Sequence, residues 1–72
     1  MNYALIESFC ALAKNLNFTK AAAEIFITQP SLSRNIVLLE NELGFQLFHR
    51  SKHSVSLTEL GERFLPYALH IK

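Results

Sequence analysis

Apolar residues recur along this chain at helical spacing, with one interruption. Leu5, Phe9, Leu12, Ala13 and Leu16 form one stripe and predict a helix from about Tyr3 to Asn15. The run Asn15-Leu16-Asn17 then breaks the pattern with two turn-prone residues. A second, shorter helix is expected to begin at Thr19, a hydroxyl suited to capping an unpaired backbone N–H. Ala21, Ala22 and Ile25 follow on one face, and small side chains there let two helices cross closely. Ile27 anchors the next turn. A third helix is predicted from a Thr28 cap, with Pro30 in the first turn, where its missing N–H costs nothing. Leu32, Ile36, Leu39 and Leu43 give it a buried stripe, and Gly44 supplies the left-handed residue that often ends a helix.

The period changes between Phe45 and Leu57. Leu47 and Phe48 look core-directed, and Val55 and Leu57 alternate with Ser54 and Ser56, as in a half-buried strand. The polar stretch between them predicts a two-stranded hairpin with a cationic tip. A fourth helix is expected from Thr58 onward, with Glu59 placed to suit the helix dipole. Its stripe is Leu60, Phe64, Leu65, Ala68 and Leu69, and Pro66 lies within it as a candidate kink. These elements predict a mainly α fold: a winged helix-turn-helix of three helices and a short two-stranded wing, followed by a further helix.

Composition narrows the class. The 72 residues are half hydrophobic, with only two Gly and two Pro, which favours one small helical domain over disorder. A domain of this size usually gains support from a partner subunit or from more chain. The helical pattern is still running at His70-Ile71-Lys72, so the expectation is a front portion of a longer protein. Cys10 is the single cysteine. It excludes an internal disulfide and, beside Phe9, reads as a core or half-buried residue. No basic leader or apolar run of membrane-spanning length is seen, so the expectation is a cytoplasmic protein with no membrane contact.

The formal net charge is only +1, less than a nucleic-acid-binding domain usually carries. Its distribution says more. No acidic residue lies between Leu43 and Leu57, whereas Arg50 and Lys52 do, flanked by His49 and His53. The major groove of B-DNA, about 12 Å wide, admits one α-helix. Such a helix keeps one face in the core and offers its N-terminal turns to base edges. In the third helix the face left over at the front holds Gln29, Ser31, Ser33, Arg34 and Asn35. These are hydrogen-bonding types suited to bases and phosphates, and the helix N-terminus itself favours a phosphate.

The run from Phe18 to Ile36, FTKAAAEIFITQPSLSRNI, resembles the DNA-binding domain of LysR-type transcriptional regulators. So do Leu39-Glu40-Asn41-Glu42-Leu43-Gly44, Leu47-Phe48-His49-Arg50 and Leu57-Thr58-Glu59-Leu60-Gly61-Glu62. The resemblance covers nearly the whole chain without gaps. It implies a winged helix-turn-helix domain over residues 1–58, with the helix-turn-helix itself at about 18–37. Residues 59–72 would begin a linker helix that pairs with its twin, and an effector-binding domain would follow beyond this chain. The implied partners are a double-stranded, partly palindromic DNA operator, a second copy of the chain in a homodimer or higher homo-oligomer, and a small-molecule effector on the missing domain. No cofactor is implied. Candidate DNA-contacting residues are Thr19, Lys20, Thr28, Gln29, Pro30, Ser31, Ser33, Arg34, Asn35, Arg50, Lys52 and His53. Candidate dimer residues are Leu60, Phe64, Leu65, Ala68 and Leu69.

Val37 and Leu38 depart from the family, which often carries a basic residue there. Cations are thereby moved off the recognition helix, so Lys20, Arg50 and Lys52 are expected to supply them. The wing is also poorer in arginine than is usual. Glu40 and Glu42 are expected to pack or face solvent. Three other functions find less support. His49 and His53 are four apart, but in a hairpin that spacing does not place both rings on one face for a metal. Ser31 and Ser33 have no partnered histidine in sequence, and the chain is too small to enclose a catalytic site. A winged helix that docks on protein instead of DNA is the stronger alternative, because the charge is near neutral.

Overall fold

The computed structural model describes residues 2–71. Among them, in order, are α1 (Tyr3–Asn15), α2 (Phe18–Glu24), α3 (Gln29–Leu43), β1 (Phe48–Arg50), β2 (Val55–Leu57) and α4 (Glu59–Ile71). The expected run of a fourth helix to Lys72 ends, at that last residue, outside the described chain. The two strands form one antiparallel hairpin with Phe48 opposite Leu57 and Arg50 opposite Val55.

The helix ends follow from short polar side chains. Asn2 caps α1 by accepting from the Leu5 N–H at 3.0 Å. The second helix starts earlier than the sequence pattern predicts: Asn17, not Thr19, is its cap, accepting from the Lys20 N–H at 2.9 Å. Asn17 has an extended backbone, and its carboxamide does the same capping work as a hydroxyl. Thr28 caps α3 as expected, with its Oγ1 accepting from the Ser31 N–H at 3.2 Å. Gly44 closes that helix with φ +84°. In the turn between α2 and α3, Phe26 takes a left-handed φ of 59°. The Ile27 N–H returns to the Ala22 carbonyl at 3.0 Å. Thr58 joins wing to α4: its hydroxyl donates to the Gln46 carbonyl and accepts from the Gly61 N–H. Helix α4 passes through Pro66 as one element.

Helix α1 is the hub, packed against α2, α3 and α4. Leu5, Ile6, Phe9 and Leu12 are buried along it, and Leu32, Ile36 and Leu39 of α3 meet them in the core. Ala21 and Ala22 are buried where α2 joins this core, as the small-residue argument requires. Cys10 is buried too. Phe9 gathers two further elements: its ring lies 5.5 Å from that of Phe48 on the wing and 5.2 Å, edge-on, from that of Phe64 on α4.

The inward set on α4 corrects the dimer assignment. Ala68 is fully buried, and Phe64 and Leu65 pack half-buried on the same core. Their partner is α1 of their own chain. The outer face of α4 carries Leu60, Tyr67 and Ile71, which helical spacing aligns and which are all exposed.

Candidate nucleic-acid interface

The third helix buries Leu32, Ile36 and Leu39, so its opposite side is open. Pro30, Arg34, Val37 and Asn41, spaced by four, three and four, are all exposed there. Gln29 and Ser33 stand at the edge of that face. Together with Pro30 they line a cleft whose other wall comes from Phe18 of α2 and from Arg50 and Ser51 of the wing. The front of the helix and the start of the wing therefore share one concave surface.

The wing tip forms a second cleft with the α1–α2 turn. Lys52 and His53 line it beside Leu16, Asn17, Phe18 and Thr19. The tip closes on itself, with the Ser51 N–H donating to the Ser54 carbonyl at 2.9 Å and the two hydroxyls 2.8 Å apart. Lys20 is exposed in the first turn of α2.

Nine of the expected DNA-contacting residues are thus solvent-exposed or line these clefts: Thr19, Lys20, Thr28, Gln29, Pro30, Ser33, Arg34, Lys52 and His53, while Ser31 is half-buried beside Thr28 and lines neither cleft. Thr28 and Ser31 are also engaged with each other, since the Thr28 hydroxyl donates to Ser31 Oγ at 3.0 Å. Two further residues differ. Asn35 turns away from the open face, and its amide donates to Ser8 Oγ on α1 at 3.0 Å. Ser8 is buried and passes its own proton to the Ala4 carbonyl at 2.8 Å. Asn35 therefore ties α3 to α1, and its place in the DNA-contacting set is withdrawn.

Arg50 is the second difference. It is not a free cation: Nη2 donates to Glu40 Oε1 at 2.9 Å. Its guanidinium also lies 6.0 Å from the centre of the Phe18 ring, within cation–π range. Glu40, expected to pack or face solvent, is buried and paired. Its position in the sequence held a signal for this. It lies four residues after Ile36, on the same helix face as the core stripe, and a carboxylate there demands donors.

Among the described residues no group of three or more His, Cys, Asp or Glu is placed to hold a metal ion. No described helix is long and apolar enough to cross a membrane.

A short α2, an exposed-fronted α3 and a hairpin sharing its cleft define a winged helix-turn-helix. Residues 3–62 match the family model described as bacterial regulatory helix-turn-helix protein, lysR family, and the chain belongs to that family. It is 48% identical over 68 residues to the uncharacterized HTH-type transcriptional regulator YcgK of Bacillus subtilis, covering 94% of this chain and 21% of that protein. It is 49% identical over 61 residues to the regulator IlvR of Caulobacter vibrioides, covering 85% of this chain and 21% of IlvR. The chain thus spans about a fifth of the length of these relatives. Among solved structures, the DNA-binding domain of BenM in complex with benA site 1 DNA superposes with a TM-score of 0.91 at 41% identity, over 99% of this chain and 80% of that one. Oxidized OxyR of Corynebacterium glutamicum superposes with a TM-score of 0.95 at 40% identity, over 97% of this chain and 22% of OxyR.

Proposed function

We propose that residues 1–58 are the sequence-specific, double-stranded DNA-binding domain of a LysR-type transcriptional regulator. The observation that carries this reading is the shared concave surface. Gln29, Pro30 and Ser33 at the front of α3 face the same cleft as Arg50 and Ser51 of the wing, and exposed Arg34 lies beside them. Insertion of α3 into a major groove would bring its first two turns to base edges while the wing follows the adjacent backbone. The likeness to the BenM domain, which was solved on DNA, supports the same docking.

The helix from residue 59 onward then serves pairing. Its exposed stripe of Leu60, Tyr67 and Ile71 is suited to a second copy, whereas Leu69, also exposed, lies on the opposite edge of the helix. Two copies would place two α3 helices on the half-sites of a partly palindromic operator. An effector-binding domain beyond this chain would set the response, in the cytoplasm. The relatives are transcription regulators by name, and an enzymatic role finds no support among them.

Arg34→Ala tests the base-reading role. Loss of a guanidinium that reads a base is expected to weaken binding to a duplex selected by the protein by about 1–3 kcal/mol. Binding to random duplex should change much less. Equal losses on both, measured by fluorescence anisotropy, would reduce Arg34 to a backbone contact.

A further inference from the structure

Among the described residues Glu40 is the one charged side chain that is buried. A buried carboxylate is tolerated only when donors satisfy it, and Glu40 has three. Oε2 accepts from the Leu47 N–H at 2.8 Å and the Phe48 N–H at 3.3 Å, and Oε1 accepts from Arg50 Nη2 at 2.9 Å. All three donors belong to the segment that enters the wing, whereas Glu40 itself belongs to α3. Arg50, held in this way, also lies over Phe18 at the start of α2. The same arginine lines the cleft opposite Gln29 and Ser33.

We infer that Glu40 is a positioning residue: through Arg50 and the Leu47–Phe48 backbone it fixes the wing against the front of α3, so that discrimination between duplexes depends on it. The inference rests on the DNA-binding reading above. Two effects of Glu40 oppose each other. Its negative charge lowers the general attraction of the domain for a polyanion. Its hydrogen bonds hold a forked donor in one orientation, and only a fixed fork can favour one arrangement of phosphates and bases over another. If positioning dominates, removing the charge while keeping the shape weakens specific binding even though the net charge becomes more favourable.

Glu40→Gln makes this separation. Glutamine keeps the volume but offers one acceptor oxygen and turns an NH2 toward groups that are themselves donors. The probes are a duplex recovered by in vitro selection with the unmodified chain and a random-sequence duplex of equal length, titrated across a salt series. E40Q is expected to bind the selected duplex about tenfold more weakly, near the lower end of what a displaced arginine contact costs. The random duplex should be bound as well as before or more tightly. Arg50→Lys keeps the charge and loses the fork. It should lower the selected-to-random ratio in the same way, and the double variant should lose no more than the larger single loss. If E40Q melts below the assay temperature, R50K carries the test. Equal changes on both duplexes, in either direction, would overturn the inference, as would an unchanged ratio. If the unmodified chain bound neither duplex, the DNA-binding reading would fall first and this inference with it.

Discussion

Phe9→Ala should cost the domain about 3–5 kcal/mol, the usual range for emptying a buried phenylalanine site. Phe9 is fully buried, and its ring touches Phe48 of the wing and Phe64 of α4. One truncation therefore opens a cavity at the point where three elements meet, and it removes both ring–ring contacts. A chain of 72 residues is expected to have a total stability of about 4–11 kcal/mol, so the loss is a large fraction of the whole. Denaturant titration followed by far-UV circular dichroism should show the midpoint collapse or the native baseline disappear. A midpoint within error of the parent would mean that Phe9 does not organise the core as described.

Gly61→Ala should be almost as damaging, although alanine is the better helix former by about 1 kcal/mol. A methyl group at Gly61 would run into the backbone carbonyl oxygen of Leu47 and come within 3.1 Å of Leu57 Cδ2. That carbonyl cannot swing aside freely, because it accepts from the Thr58 N–H at 2.9 Å. Overpacking typically costs about 1–3 kcal/mol and more when the obstacle is fixed, so the clash outweighs the propensity gain. The net loss is expected near 3 kcal/mol, or a fall in melting temperature of about 12–24 °C for a domain of this size. A more stable variant would show that α4 does not dock through Gly61.

The features legible in the sequence are those set by neighbours along the chain. The span of α3, its Thr28 cap and its Gly44 terminus all rest on local chemistry, and the structure places each where the pattern does. The Asn17 cap is hidden in the sequence because the same side chain also suits a turn. Where a partner is distant in sequence, the pattern falls short. Asn35 lies at the margin of the helix face, and only Ser8, 27 residues away, decides its direction. Glu40 gains its meaning from the Leu47–Arg50 segment, which returns to it after the Gly44 turn. On α4 the apolar pattern alone does not say whose surface covers each residue, and of the five stripe residues Leu60 and Leu69 are exposed. Phe64 and Ala68 meet their own chain, and the outward residues Tyr67, 70% exposed, and Ile71 stand outside the stripe that the spacing predicts.

The pairing of Arg50 with Glu40 also refines the charge argument. Lys20, Arg34 and Lys52 are the exposed cations of the candidate interface, and Arg50 reaches DNA with part of its charge already balanced. Few phosphate contacts are then expected, and each contributes about −0.9 to the slope of log affinity against log salt.

Every role proposed for this surface depends on its binding duplex DNA. Titrating the chain into labelled random and palindromic duplexes, from low salt upward, tests it most directly. Saturable binding is expected at low salt, weakening with a log–log slope shallower than about −8. No binding to either duplex at low salt and high protein concentration would contradict it and favour a protein-docking role for the same winged helix.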